Sequence, residues 1–243
     1  VKLHLRVAIC LLGALCSFTG RSVAAQLSVG PVLLELTAPA AAATLTLVNN
    51  EDHEITVQTR VLRWSQRNGE ETLEPTTDVV ASPPSITLAP DADYTIRIVR
   101  TSKRPVEGEE SYRVLVDQLP DYRRAQSSGV NMLIRQSIPV FFRATQSRAP
   151  DVSWSLSREG INFTLRATNR GDTRLRIASL KIRDATGKTI SLGDGLVGYV
   201  LGNSSMTWPI PYLPYGFGET GGVRINAQTQ NGEVDQQVEL RVD

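Results

Sequence analysis

Few residues in this chain are equipped for covalent or metal chemistry. Histidine occurs at His4 and His53, and cysteine at Cys10 and Cys16. His53 closes a polar stretch, Asn49-Asn50-Glu51-Asp52, that has the composition of a turn. A structural zinc centre usually needs four Cys or His ligands, and past residue 25 only His53 is on offer, so no metal site is expected. A Ser-His-Asp triad would need that same histidine, and nothing like a nucleophile elbow accompanies it. Glu109 and Glu110 are adjacent carboxylates. At the start of a strand they would point to opposite faces, which suits a solvated turn better than acid–base work on one substrate. No glycine-rich phosphate loop follows a strand and opens a helix. The expectation is a protein that is not an enzyme and holds no cofactor.

Other motifs have plainer readings. Arg170-Gly171-Asp172 matches an adhesion tripeptide, but Gly-Asp between two strands is ordinary hairpin chemistry, and Asn169 to Thr173 is read as a hairpin turn. Asn162-Phe163-Thr164 and Asn203-Ser204-Ser205 fit the glycosylation pattern, which is common by chance. Trp64, Trp154 and Trp208 would serve a carbohydrate-binding module or secreted hydrolase if exposed, although buried tryptophan is the commoner outcome.

The unusual segment is Val130 to Arg143. Val130, Met132 and Ile134 fall on one face of a strand, with Leu133 on the other. One reading is a central strand buried on both faces. The other is an edge strand that offers backbone groups and apolar side chains to a partner. Pro139 favours an edge or a bulge. The preceding loop, Pro120 to Gly129, is long, charged and serine-rich, as binding loops often are.

These residues must be positioned by strands. Leu45 and Leu47, Ile55 and Val57, then Tyr94, Ile96 and Ile98, then Tyr112, Val114 and Val116, alternate with period two. Asn49 to Asp52, Arg67-Asn68-Gly69 and Ala81 to Pro84 punctuate them as turns. Ile161, Phe163, Leu165 and Ala167 alternate again, followed by Leu175, Ile177, Leu180 and Ile182, and finally by Val238, Leu240 and Val242. Short strands punctuated about every ten residues predict an all-β antiparallel sandwich. A boundary is expected near Gln146 to Pro150, dividing residues 26–147 from 148–243. No internal sequence repeat is evident beyond this shared β character.

Residues 1–25 have the layout of a secretory signal peptide. Lys2 and Arg6 form a basic head, Val7 to Leu15 is apolar, and Val23-Ala24-Ala25 predicts cleavage before Gln26. The apolar run is short for a membrane anchor, and Arg21 follows it closely. The leader would remove both cysteines and three of the 26 basic residues, leaving 23 against 25 acidic and a net charge of −2. An exported chain of about 218 residues without disulfides must rest on ordinary hydrophobic cores, and its length suffices for two domains. The charge balance points to no nucleic-acid partner, and no later stretch is apolar enough to insert in a membrane.

The sequence resembles the PapD-like periplasmic pilus chaperones. Ser82-Pro83-Pro84 through Leu88-Ala89-Pro90 with Arg97, Glu110-Ser111-Tyr112 to Gln118-Leu119-Pro120, and Val140-Phe141-Phe142-Arg143 occur in the family's order and spacing. Ile161 to Ile177 and Tyr199 to Pro209 look closer to the archaic, spore-coat-U-type branch. The resemblance implies two immunoglobulin-like domains set at an angle around a cleft. It implies donor-strand complementation: the chaperone lends an edge strand to a pilus subunit that lacks one, then passes the subunit to an outer-membrane usher. With Phe141-Phe142-Arg143 as the register mark, Val130, Met132 and Ile134 match the lent positions. The best-known members of that family anchor the subunit's terminal carboxylate with two basic cleft residues, and here those positions fall on Pro31 and Pro139, which cannot serve. Arg113 is the preferred replacement, because it points away from Tyr112, Val114 and Val116, and a guanidinium suits a carboxylate bidentately. Arg97 and Arg135 are lesser candidates. The rival readings are an exported β-sandwich pilin or adhesin and a carbohydrate-binding module. A pilin should show a donor extension ahead of one domain, whereas this chain enters a strand at once, from Leu27 to Leu36.

Overall fold

The computed structural model describes residues 27–121, 133–160, 162–210, 214, 216–218, 222–238 and 240–242, and every regular element among them is a β-strand. The first half holds β1 (Leu27–Gly30), β2 (Leu34–Thr37), β3 (Ala42–Asn49), β4 (Ile55–Arg67), β5 (Glu70–Pro75), β6 (Val79–Ser82), β7 (Ser85–Leu88), β8 (Asp93–Arg100), β9 (Glu109–Gln118) and β10 (Arg135–Arg143). The second half holds β11 (Val152–Glu159), β12 (Asn162–Asn169), β13 (Leu175–Arg183), β14 (Thr189–Ser191), β15 (Leu196–Val200), β16 (Ser204–Ile210), β17 (Val223–Thr229), β18 (Gly232–Val238) and β19 (Leu240–Val242).

Two sheets form the first sandwich, in the orders β1-β3-β8-β6 and β2-β10-β9-β4-β5, with β7 also on β4. Alternation puts Leu45, Leu47, Ile96 and Ile98 of one sheet against Tyr112, Val114, Val116, Val140 and Phe142 of the other, all 0–1% exposed. Each such side chain contributes roughly 1.5–3 kcal/mol on burial. The sheets β16-β12-β11-β19 and β14-β13-β17-β18, with β15 on β13, enclose a second core around Leu156, Leu165, Ile177, Leu180, Val223 and Ile225. The sandwich architecture read from the sequence is therefore present twice, each time antiparallel except for one parallel pair, β2 with β10 and β11 with β19.

Two local expectations need correction, and one strand carries a bulge. The stretch from Leu27 to Leu36 is two strands: β1 pairs with β3, while β2 pairs in parallel with β10 in the facing sheet. Pro31 has no N–H for a ladder, and the chain changes sheets there. Leu175, Ile177, Leu180 and Ile182 lie on the single strand β13, which changes phase at a bulge around Ser179, a residue with φ of 50°. The turn from Asn169 to Thr173 is not a hairpin, because β12 and β13 belong to opposite sheets. Buried Asn169 stabilises the crossing. Its Nδ2 donates to the carbonyls of Thr173 (2.8 Å), Val200 (3.2 Å) and Leu201 (3.1 Å), and its Oδ1 accepts from Gly171 N–H (2.9 Å).

The two sandwiches meet through a third apolar cluster of Trp64, Phe141, Tyr199 and Leu201. Beside it, buried Gln66 donates to the carbonyl of Tyr199 (2.8 Å) and accepts from the N–H of Leu201 (2.9 Å). The tip of the β4–β5 hairpin extends the junction. Gly69 bridges to Met206 of β16, and its carbonyl accepts from Thr207 N–H (3.0 Å) and Oγ1 (2.9 Å). Gly69 has φ of 88°, and a Cβ there would sit 2.6 Å from Thr207 Cγ2. Gly69→Val is expected to undock this hairpin and cost roughly 2–4 kcal/mol, since it combines strain with a clash. A lowered melting temperature together with a broader inter-sandwich angle by small-angle scattering would show it. An unchanged melt would mean the hairpin contact contributes nothing.

Candidate functional site

One face of the sheet β2-β10-β9-β4-β5 packs into the first core. The other turns toward the second sandwich. Strand register fixes what this outer face carries. Pro75 opposes Leu62, Leu62 opposes Arg113, and Arg113 opposes Pro139, so the four form one cross-strand row. In the neighbouring row Leu73 opposes Trp64, and Ser111 opposes Phe141.

Arg113 lies on this face because Tyr112, Val114 and Val116 alternate into the core. Its guanidinium carbon sits 3.8 Å from the centroid of the Trp64 ring and 5.8 Å from that of Tyr199. The side chain is half-buried and makes no ion pair or hydrogen bond with a described residue. Burial pushes its pKa below the usual arginine value, an effect that the neighbouring Glu71 and Tyr199 oppose. Arginine starts so high that the group keeps its charge. Trp64 is 2% exposed, and its indole N–H finds no acceptor among the described residues. An orphan donor costs about 1–3 kcal/mol, and what tryptophan offers over phenylalanine in return is the stronger cation–π face.

The other basic candidates are placed differently. Arg97 is exposed on β8, between Thr44 and Ser82, in the opposite sheet. Arg135 begins β10 and donates to Asp117, which also accepts from Arg60 at 2.6 Å. Burial would raise the Asp117 carboxyl, but these two guanidinium groups hold it below the usual carboxylate range. Pro31 is exposed between β1 and β2, whereas Pro139 is buried beside Arg113.

β10 is paired on both sides for only part of its length. β9 runs along all of it, but β2 covers only Val140 to Arg143. The Gln118 N–H donates to the Ile134 carbonyl (3.0 Å), so the even-numbered residues of β10 direct their backbone groups to β9. The odd-numbered residues face the other way. Arg143 does so visibly, its carbonyl accepting from Ala38 N–H at 2.9 Å. Among the described residues, the backbone groups of Arg135 and Ser137 therefore lie along an open edge, while the Pro139 carbonyl already faces Leu34 in the parallel ladder with β2. Proline leaves no donor to be satisfied there. Among the described residues the strand is central from Val140 onward and an edge at Arg135 to Ser137. Ile134 is half-buried just ahead of β10, on the same side by parity as Ile138, Val140 and Phe142, and Leu133 is 51% exposed. Val130 and Met132 lie outside the described residues.

Glu109 and Glu110 do point to opposite faces, but both are removed from solvent by ion pairs. Glu110 accepts two bonds from Arg100, each 2.8 Å. The Glu109 side chain is 2% exposed and accepts from Arg174 Nη1 at 2.5 Å and Arg174 N–H at 3.0 Å, while a second carboxylate, Glu35, also pairs with Arg174. Burial pushes the Glu109 carboxyl up in spite of Arg174. Arg174 lies 3.5 Å over the Phe141 ring, so a cation flanks the aromatic cluster on this side too. Sequence alone gave no sign of that pairing. Arg174→Ala would strand Glu109 and is expected to cost about 3–5 kcal/mol in unfolding free energy. Arg174→Met with Glu109→Leu should recover most of it, and equal losses in the single and double variants would show that packing, not charge, is responsible.

The remaining sequence candidates serve structure. His53 Nδ1 sits 2.9 Å from Asp52 Oδ1 at the end of its turn. Asp172 of the Arg-Gly-Asp motif is gripped by Arg148 at 2.7 and 3.0 Å and bonded by Asn203, so neither that tripeptide nor the Asn203 amide is free. Trp154 is 7% exposed and stacks on half-buried Trp208 at 6.1 Å, which leaves no exposed tryptophan platform among the described residues.

Residues 26–147 match the family described as pili and flagellar-assembly chaperone, PapD N-terminal domain. The chain belongs to this pilus- and flagellar-assembly chaperone family. Solved structures agree on the fold. One is the CsuC–CsuE chaperone–tip adhesion subunit pre-assembly complex from the archaic chaperone-usher Csu pili of Acinetobacter baumannii, at TM-score 0.67 and 22% identity, covering 90% of this chain and 100% of the other. The YadV chaperone gives 0.63 and 16% over 88% and 100%. The SafA pilin–SafB chaperone complex of Salmonella enterica gives 0.60 and 20% over 87% and 95%. No curated protein matches the sequence. The chaperone has the two immunoglobulin-like sandwiches and intervening cleft that the family resemblance implied, and its family is periplasmic in general.

Proposed function

We propose that this chaperone is exported by residues 1–25, cleaved before Gln26, and captures pilus subunits in the periplasm by donor-strand complementation before an outer-membrane usher receives them. Residues 26–147 form the domain that holds the subunit, and residues 148–243 form the second domain. The open half of β10 carries the reading. Backbone pairing along Arg135 to Ser137 supplies sequence-tolerant affinity, and Val130, Met132 and Ile134 are the side chains offered to the subunit's groove. Arg113 is the anchor for the subunit's terminal carboxylate. It is cationic, lacks a described counter-ion, and stands directly across from Pro139, one of the two positions where the resemblance puts a basic residue of the best-known members. A guanidinium on the adjacent strand can thus reach the same part of the cleft. Structures of relatives in complex with a tip adhesion subunit and with a pilin support capture as the activity.

Co-expression with pilus subunits of the same genome, followed by purification of the periplasmic fraction, tests the reading. A stable one-to-one complex is expected, with the subunit aggregating or degraded when expressed alone. Subunits that accumulate and assemble equally well without the chaperone would refute it.

A further inference from the structure

We propose that Trp64 and Tyr199 are positioning residues for Arg113, so that the second sandwich sets the aim of a cation belonging to the first. The inference rests on Arg113 being the carboxylate anchor. Three rings meet at the junction. Trp64 and Tyr199 lie 5.4 Å apart at 88°, and Phe141 is 5.8 Å from each. Arg113 lies over Trp64 and beside Tyr199. With its carbon only 3.8 Å from the Trp64 centroid, the guanidinium has room to set its face, not its edge, against that ring. Its N–H groups lie in the plane and remain available to a carboxylate as a fork. An arginine with no counter-ion among the described residues would otherwise sample many rotamers and lose that freedom on capture. Rings that hold it beforehand remove part of the loss.

Tyr199 is itself held from the first sandwich. Gln66 lies two residues from Trp64 on the same face of β4. Its amide bonds the Tyr199 carbonyl at 2.8 Å and the Leu201 N–H at 2.9 Å, gripping the backbone on both sides of Val200. The path from inter-sandwich docking to the anchor is therefore short: Gln66 fixes Tyr199, and Tyr199 with Trp64 fixes Arg113. Tryptophan with an orphan N–H fits this role, because stacking rather than hydrogen bonding determines the residue type.

The test uses the full chaperone and a peptide copying the last strand of the subunit recovered by co-expression, made once as the free acid and once as the amide. The wild type is expected to prefer the acid by about tenfold or more. Its Arg113 Nε–H resonance should be displaced by ring currents in the free protein. Tyr199→Leu should shrink the preference by roughly fivefold and return the resonance toward the random-coil position, because a leucine fills space without a π face. Tyr199→Phe should recover both. Trp64→Phe removes the orphan donor, so it should weaken the preference without lowering the melt, which keeps the test valid if Tyr199→Leu folds poorly. An acid preference retained in Tyr199→Leu and Trp64→Phe, with only the melt altered, would show that the rings merely pack. If Arg113→Ala keeps the preference, the anchor reading fails and this inference with it. If Arg113→Ala loses it while the ring variants keep it, the positioning role alone is wrong.

Discussion

Arg113→Ala should abolish co-purification of the subunit while the free chaperone stays folded. Removing one partner of a desolvated charge pair costs about 2–5 kcal/mol in binding, or roughly 30-fold and upward in affinity. The free protein loses only a stacking contact worth about 0.5–2 kcal/mol, and it also sheds the burial of a cation that has no counter-ion among the described residues. At roughly 2–4 °C per kcal/mol for a chain of this size, the melt should move by a few degrees at most. Arg113→Lys should restore part of the capture, since it keeps the charge and loses the planar fork. Arg97→Ala, on the opposite sheet, is the control. Pro139 stands across from Arg113, so Pro139→Lys in the Arg113→Ala background should return some capture by supplying the cation from the next strand. Equal capture by wild type and Arg113→Ala, at matched salt, would remove Arg113 from the site.

What the sequence made legible follows from period-two alternation. Tyr112, Val114 and Val116 mark a core face, and the outward direction of Arg113 follows with no further information. The half-open character of β10 was legible only as an ambiguity. Where β2 stops is a tertiary fact, and Pro139 was the sole local hint of it. The partners of Arg113 were not legible. Trp64 and Tyr199 lie far apart along the chain, and neither sits in a pattern that distinguishes a cation-stacking ring from a core ring. The partnership of Glu109 with Arg174 escaped for the same reason, so a buried ion pair was read as a solvated turn.

A repeat was also present in the sequence but needed the structure to be seen. Leu45, Leu47, Asn49, Asp52 and Ile55 have the spacing of Leu165, Ala167, Asn169, Asp172 and Leu175. In both runs the asparagine ends a strand, its Oδ1 accepts from the N–H two residues on, and its Nδ2 donates to the carbonyl four residues on. Both runs carry the chain from one sheet to the facing one, as β3 to β4 and as β12 to β13. A buried asparagine that satisfies the crossing backbone explains why neither is a hairpin. Turn composition alone cannot separate the two cases, because asparagine, glycine and aspartate suit both.

Ile134→Asp should eliminate subunit capture, and its contrast with Ile138→Asp locates where the strand changes from edge to core. The two side chains share one face by parity. Ile138 is 3% exposed within the first core, between strands that are already packed. A carboxylate there has no partner to pay its desolvation, and a loss above about 4 kcal/mol should unfold the domain. Ile134 is half-buried ahead of β10, where its carbonyl already pairs with Gln118. An aspartate there can turn to water in the free chaperone, so the melt should fall by only a few degrees, on the order of 1 kcal/mol. In the complex the same carboxylate would face an apolar groove, and the desolvation cost of several kcal/mol falls wholly on binding. Met132→Asp should behave like Ile134→Asp if the lent run is Val130, Met132 and Ile134. Thermal melts of the free variants and co-purification with the subunit separate the outcomes. An Ile134→Asp protein that unfolds as Ile138→Asp does would place Ile134 in the core and remove it from the lent strand.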